Sequence, residues 1–182
     1  DIMEPEFIYG GKDMGVTLEC FSGDCRQALM ADAGKAGVEK VRQLLEVALK
    51  DEAFTETHLG AHADSPRNII YEDPDLKFCI IAHVYKGASA GNPHDHADSW
   101  AVYGQVAGVT RMTAWRKLSG PDGDKPGQVE EVRTFDQNPG DASAWHVGQL
   151  HSPARDGETR LIRIEGRNLE GVERDKYERP AA

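Results

Sequence analysis

The change of hydrophobic period near Pro66 is the feature that most restricts the fold of this chain. Before it, apolar residues recur three and four apart over residues 35–51, which predicts one amphipathic helix. A shorter helix is expected within residues 22–33, and residues 1–15 are expected to form a loose entry or an edge strand. After Pro66, short β-rich runs alternate with turn residues, which is typical of antiparallel β structure.

The second part of the chain is predicted to consist of short strands. They are expected at residues 78–86, 99–106, 109–117, 129–135, 142–147 and 159–165. Residues 119–127 are predicted to form a hairpin loop, and residues 138–141 a tight turn. We expect one domain over residues 1–182, with a helical segment at about 22–55, a β-barrel at about 65–168 and a tail at 169–182. The tail is expected to wrap over the surface or to be partly disordered.

Charge and cysteine content narrow the possible partners and compartment. The 182 residues include 31 acidic and 21 basic side chains, a formal charge of −10, which opposes binding to nucleic acid or an anionic membrane. Three cysteines form neither a disulfide framework nor a zinc pattern, so a reducing cytoplasm is expected. No run approaches the ~20 apolar residues of a membrane helix, and no export signal is recognised, although the chain begins at Asp1. A small-molecule substrate is the expected partner, and the choice between monomer and homodimer stays open.

The histidine pattern indicates a metal site. His94 and His96 are two residues apart, so on an extended strand both imidazoles share one face while Asp95 points away. A third ligand has to come from elsewhere in the chain. His151, beyond the predicted turn at 138–141, is the best candidate, and His146 is its rival. A second metal at Cys20 and Cys25 with His58 or His62 is not expected, because a spaced fourth ligand is missing.

These residues resemble the cupin superfamily, in which a double-stranded β-helix carries a metal on a His-x-His pair and a later histidine. The order of Arg-Asn-Ile-Ile (67–70), Lys-Phe-Cys-Ile (77–80), His-Asp-His (94–96) and Gly108 is similar to that of the cysteine dioxygenase group of thiol dioxygenases. The similarity extends over about residues 38–165. It implies a mainly β fold: a cupin jelly-roll barrel with an N-terminal α-helical segment.

The resemblance also implies a reaction. His94, His96 and His151 would form a three-histidine iron site, Arg67 would hold a substrate carboxylate, and a small thiol would be oxidised to its sulfinate with O2. The sequence differs from this family at two positions. Ala101 occupies the position of the family's cross-linking cysteine, and the partner tyrosine position falls near Glu165. The cross-link cannot form, and Tyr103, or alternatively Tyr85 or His83, is expected to replace the missing acid-base group.

Three neutral imidazoles favour a particular chemistry whatever the family. They leave a divalent metal its full charge and open positions on one face, where an anionic substrate and O2 can bind together. Fe(II) suits this reaction because it can pass an electron to dioxygen. Three alternatives stay open: a dioxygenase that cleaves a C–C bond of a diketone-like compound, a Zn, Ni or Mn enzyme that uses Lewis-acid chemistry without O2, and a binding cupin without turnover.

Overall fold

The computed structural model describes residues 15–179, so the expectation for residues 1–14 lies outside the described part of the chain. Within that part three helices precede the strands: α1 (Leu18–Ala31), α2 (Lys35–Ala48) and α3 (Glu52–Leu59). The predicted amphipathic helix is confirmed as α2. The shorter helix is also present, but it begins four residues earlier than expected, where the Thr17 hydroxyl accepts a hydrogen bond from the backbone N–H of Cys20. The helical segment extends to Leu59 rather than to residue 55.

Ten strands follow between residues 68 and 178 of the described chain. They are β1 (Asn68–Glu72), β2 (Cys79–Tyr85), β3 (Ser89–Ala90), β4 (Ala101–Ala107), β5 (Thr110–Lys117), β6 (Gly127–Gln137), β7 (Ala142–Trp145), β8 (Leu150–Arg155), β9 (Thr159–Glu165) and β10 (Tyr177–Glu178). All six predicted strands are present, with ends shifted by up to two residues. Four strands were missed, β1, β3, β8 and β10.

The strand order identifies the architecture. One sheet runs β1-β2-β9-β4-β7 and the other β10-β6-β5-β8-β3, so most hydrogen-bonded neighbours are not consecutive in sequence. In each sheet the long strands are antiparallel, and the chain crosses repeatedly from one sheet to the other. This arrangement is the jelly roll, in which two sheets curl into a double-stranded β-helix. The predicted mainly β fold class, a cupin-type barrel with an N-terminal helical segment, is therefore confirmed.

The first sheet has an apolar outer face that the helices cover. Val38, Val41, Leu44 and Leu45 of α2 pack against the outward residues of that sheet. These outward residues are Ile80, Ala82, Val84, Val102, Ile162 and Ile164. Residues on a strand alternate between faces, so the odd-numbered neighbours of these residues point into the barrel. The helices thereby leave the inner face of the first sheet available for a site.

The tail adds to the second sheet. β10 pairs parallel with the first two residues of β6, and the ring of Tyr177 is buried with Val129 and Leu150. The described part of the tail therefore supplies a short strand at the edge of the second sheet. Among the described residues, none of the helices is long and apolar enough to cross a membrane.

Candidate metal centre

Three histidines converge inside the barrel. One ligand atom from each of His94, His96 and His151 lies within 4.8 Å of the others. The ring centroids are 4.7 Å apart for His94 and His151 and 5.0 Å apart for His96 and His151. His96 and His151 are fully buried, and His94 is half-buried. The three histidines that the sequence singled out therefore form one cluster in space.

The local backbone that positions the pair differs from the expectation. His94 and His96 lie in the connection between β3 and β4, not on a continuous strand. Only His94 makes a strand-like pair, with both backbone hydrogen bonds to His151 at 2.9 Å. Asp95 turns back on the loop, where its Oδ1 accepts from the N–H of Ala97, a residue at φ +55°. The pairing of His94 with His151 across the ladder is what holds the ligand atoms together.

The imidazoles are kept neutral by burial. Burial lowers the pKa of His96 to about 2, with the neighbouring His94 adding to the effect, and it lowers the pKa of His151 well below its usual value. The pKa of His94 is lowered for the same first reason. His94 Nδ1 donates to the carbonyl of Asn92 at 2.9 Å, which leaves its Nε2 as the free lone pair. Neutral imidazole is the form that binds a metal.

Unsatisfied polar atoms support a metal at this place. In the described part of the chain, both ring nitrogens of His151 and Nδ1 of His96 are buried without a hydrogen-bond partner. Buried polar groups are nearly always paired, and an unpaired one costs about 1–3 kcal/mol. The donor set of three nitrogens suits Fe, Zn, Ni or Cu better than Mg or Ca. The three side chains therefore fit a transition metal.

Two aromatic side chains close the cluster. The Tyr103 hydroxyl lies 3.0 Å from Nε2 of His96, and its ring is 5.2 Å from that of His151. The Trp145 ring lies 4.3 Å from the His151 ring. Tyr103 is buried on β4, at the inner face of the first sheet. Of the three residues expected to replace the missing acid-base group, Tyr103 is the one in contact with the histidine cluster.

Arg67 lies just before β1, in an ion-pair network at the same sheet. Its Nη2 is 3.2 Å from Oε2 of buried Glu165 and 2.8 Å from the side-chain oxygen of Asn168. Arg163 pairs with the other oxygen of Glu165. Glu165 lies directly opposite Ala101 in the β4–β9 ladder, so the two positions of the absent cross-link are adjacent. The role of Arg67 toward a substrate stays a prediction, because its guanidinium already binds these oxygens.

A second group of polar and aromatic side chains lies on the inner faces of the two sheets. The sequence did not predict that these residues lie together. His83 and Tyr85 of β2 stack with ring centroids 5.2 Å apart, and the guanidinium of Arg155 lies 4.2 Å from the Tyr85 ring centroid. Arg163 of β9 lies near the Tyr103 ring. The alternation of Thr, Leu, Arg and Glu with Arg and Ile along β9 signals a polar inner face. Arg155 had no such signal, because β8 was not recognised as a strand.

His146, the other histidine proposed as third ligand, lies away from the cluster. His146 lines a groove of about 760 Å³ between α2 and β5–β7, and none of the three clustered histidines lines it.

A cavity of about 500 Å³ reaches the cluster at His94, with Arg174 and Tyr177 of the tail on its wall. Arg174 donates to the carbonyl of Asp95 at 3.3 Å. The tail therefore contributes to the entrance of the metal centre.

Comparison with known proteins gives no sequence match and structural similarities at low TM-scores. Neither a protein-family model nor a curated protein matches the sequence. The structure resembles KdgF from Halomonas sp., with 16% identity over 54% of this chain and 74% of that chain, at a TM-score of 0.42.

Two further structures resemble it at similar levels. They are a cupin-2 domain-containing protein from Shewanella frigidimarina (15% identity, 60% and 96% coverage, TM-score 0.40) and a double-stranded β-helix protein from Klebsiella pneumoniae (11%, 68% and 88%, 0.43). TM-scores this low carry no argument about activity. The strand order itself identifies a jelly-roll barrel, and the three-histidine cluster inside it is a site that can hold a metal.

Proposed function

We propose that this chain is an Fe(II)-dependent dioxygenase that oxidises a small organic anion, most simply a thiol carboxylate, to its sulfinate. The observation that supports this most is the donor set, three neutral imidazoles, two of them fully buried, without a carboxylate among the clustered residues described. A divalent ion held by three neutral ligands keeps its full charge. That charge favours an anionic substrate at the open positions.

The surrounding charges favour an anion as well. Arg67 and Arg163 share one buried carboxylate, Glu165, and Arg155 makes no ion pair with a described carboxylate. The chain as a whole is acidic, so positive charge concentrated inside the barrel is a local feature and not a general property. A buried positive field raises the local concentration of small anions. We therefore favour a substrate with a carboxylate over a cationic one such as cysteamine.

The residues of the chain have separate roles in this proposal. The three histidines hold the metal, and Trp145 packs against His151, which keeps water from that side of the ring. In this proposal the Tyr103 hydroxyl, which lies next to His96, donates a hydrogen bond to a substrate atom or holds a proton there. Iron bound at the site would supply the electron that activates O2. In the overall reaction both oxygen atoms of O2 end in the sulfinate, so no external reductant is needed.

Oxygen consumption tests the proposal. Protein loaded anaerobically with Fe(II) is mixed with O2 and cysteine, 3-mercaptopropionate, cysteamine or a β-diketone, and the same protein loaded with Zn(II) is the control. We expect iron-dependent uptake with a thiol carboxylate, one sulfinate for each O2 consumed, and much slower uptake with cysteamine. The His96→Ala variant should consume no O2.

Two results would count against the proposal. Uptake with a β-diketone alone would move the reaction to C–C bond cleavage. No uptake by protein shown to contain iron would favour Lewis-acid chemistry with Zn, Ni or Mn.

A further inference from the structure

Arg155, the last residue of β8, is a buried cation without a counter-ion among the described residues. Only 8% of its surface is exposed, its Nε has no hydrogen-bond partner, and no ion pair joins it to a described carboxylate. Arg67 and Arg163 differ, because both pair with Glu165. A buried charge is strongly destabilising when it is unpaired. The structure therefore contains a position that an anion would stabilise.

The Arg155 guanidinium has a ring against one face and a buried Nε–H without a hydrogen-bond partner. One face lies 4.2 Å from the Tyr85 ring centroid, and Tyr85 is held in turn by stacking on His83. A planar guanidinium that stacks on a ring keeps its edge N–H groups free for a two-pronged bond to an oxyanion. Burial lowers the pKa of Arg155 and the nearby charge of Arg163 adds to this effect, while Tyr85 and Tyr103 act in the opposite direction without cancelling it.

Other unpaired polar atoms lie in the same part of the barrel. Within residues 15–179, Nε2 of His83, Oε1 of Gln105 and Oγ1 of Thr159 are buried without partners. The ladders join their strands directly, since His83 and Gln105 both pair with Leu161, and Tyr85 pairs with Thr159. A group of unpaired buried atoms marks a place for a ligand or ordered water.

We propose that Arg155 binds the terminal carboxylate of an extended substrate whose other end lies at the histidine cluster. The inference rests on the proposed function and names the substrate class more closely. His151 and Arg155 are on the inner face of the same strand, and four residues of strand span about 13 Å. This is a separation of backbone positions, and the two long side chains can take up part of it. The remaining gap suits a carboxylate several bonds from the metal-binding group, as in an ω-mercapto acid, better than a compact α-amino acid.

Binding to zinc-loaded protein tests this inference without turnover. The probes are 4-mercaptobutyrate and 3-mercaptopropionate, with 1-butanethiol as the thiol that lacks a carboxylate. We expect the Nε–Hε signal of Arg155 in ¹⁵N-edited NMR spectra to shift on titration with 4-mercaptobutyrate and to stay in place with 1-butanethiol. A signal that no carboxylate moves would overturn the proposal.

Variants measure the same interaction by calorimetry. In Arg155→Gln the Kd for 4-mercaptobutyrate should rise at least tenfold, while zinc content and the Kd for 1-butanethiol are unchanged. Arg155→Lys should lie between the two, because lysine cannot form the two-pronged bond. Arg111→Gln, an exposed arginine on the neighbouring strand β5, is the matched control and should bind as the wild type does.

Two outcomes of these measurements contradict the proposal. Equal Kd values in the wild type and Arg155→Gln would remove Arg155 from the site. A larger loss in Arg67→Ala than in Arg155→Gln would return the carboxylate to Arg67. Carboxylate binding through Arg155 by a protein that consumes no O2 would support this inference and count against the proposed function alone.

Discussion

At the scale of single residues, the third metal ligand is one of two histidines that are five positions apart in the sequence. His151 is fully buried beside His94 and His96, whereas His146 is half-buried at the groove between α2 and β5–β7. We predict that His151→Ala purifies without stoichiometric metal, because two imidazoles remain, and that His146→Ala keeps its metal. Elemental analysis after dialysis against one equivalent of Zn(II) makes the comparison. Metal loss in His146→Ala alone would reverse the assignment.

The side chain of Asp73, between β1 and β2, should make the stability of the protein depend on pH. Burial raises the pKa of Asp73, but bonds from the Leu76 N–H, the Arg26 guanidinium, the Asp75 N–H and the Tyr71 hydroxyl outweigh it and lower the pKa to about 2. A lowered folded-state pKa stabilises the protein above the unfolded pKa of about 4, and this contribution disappears as the pH falls through about 2.

The corresponding variant is Asp73→Asn. Its melting temperature should be well below that of the wild type at pH 5 to 7, and the difference should shrink between pH 4 and pH 2. Asp75→Asn is the control, since Asp75 binds the same Arg26 but its side chain is 69% exposed, and it should change little. A difference that stays constant from pH 5 to pH 2 would argue against this account of Asp73.

Site residues could be predicted from sequence only where spacing carries the information. His94 and His96 are two apart, so one local pattern suggested them, and His151 followed as a third nitrogen ligand. Arg155 could not be found in this way. Its importance depends on the β8 register and on the absence of an ion pair with any described carboxylate, and both are properties of the packed barrel.

At the scale of elements, the strands that were missed lack the usual alternation. β8 contains histidine, serine and proline within six residues, and β3 and β10 have two residues each. Their pairing comes from neighbouring strands: β8 lies between β5 and β3, and β10 lies against β6. Tertiary contacts therefore decide these elements, while the longer β-rich runs and the amphipathic α2 have sufficient local signal.

The contact between α2 and the first sheet requires a glycine on β4. A Cβ added to Gly104 would lie 2.6 Å from Cδ2 of Leu45 and 2.8 Å from Cδ1 of Leu49. We predict that Gly104→Val lowers the free energy of unfolding by about 1–3 kcal/mol, because the helix must move away from the strand. Urea denaturation measures the change. Gly157→Val is the control, as a Cβ there meets no atom within 4 Å, and an equal loss in both variants would contradict the steric explanation.

At the scale of the whole molecule, the single domain expected over residues 1–182 can be tested by its cooperativity. The helices and the outer face of the first sheet share one apolar core, so neither part buries its surface alone. All three tryptophans, at 100, 115 and 145, belong to the barrel region, and the described helices contain none. Tryptophan fluorescence therefore reports on the barrel, while ellipticity at 222 nm is dominated by the helices.

Both signals should change at the same urea concentration, as in a two-state transition. Leu44→Ala, which removes a buried side chain of α2 from this core, should move both midpoints together and lower stability by about 2–5 kcal/mol. Val47→Ala, on the same helix but 39% exposed, should move neither by much. If ellipticity were lost before fluorescence, or if Leu44→Ala shifted only ellipticity, the helical segment would be a separate unit. Coincident midpoints would mean that helices α1 to α3 are part of what keeps the histidine-bearing barrel closed.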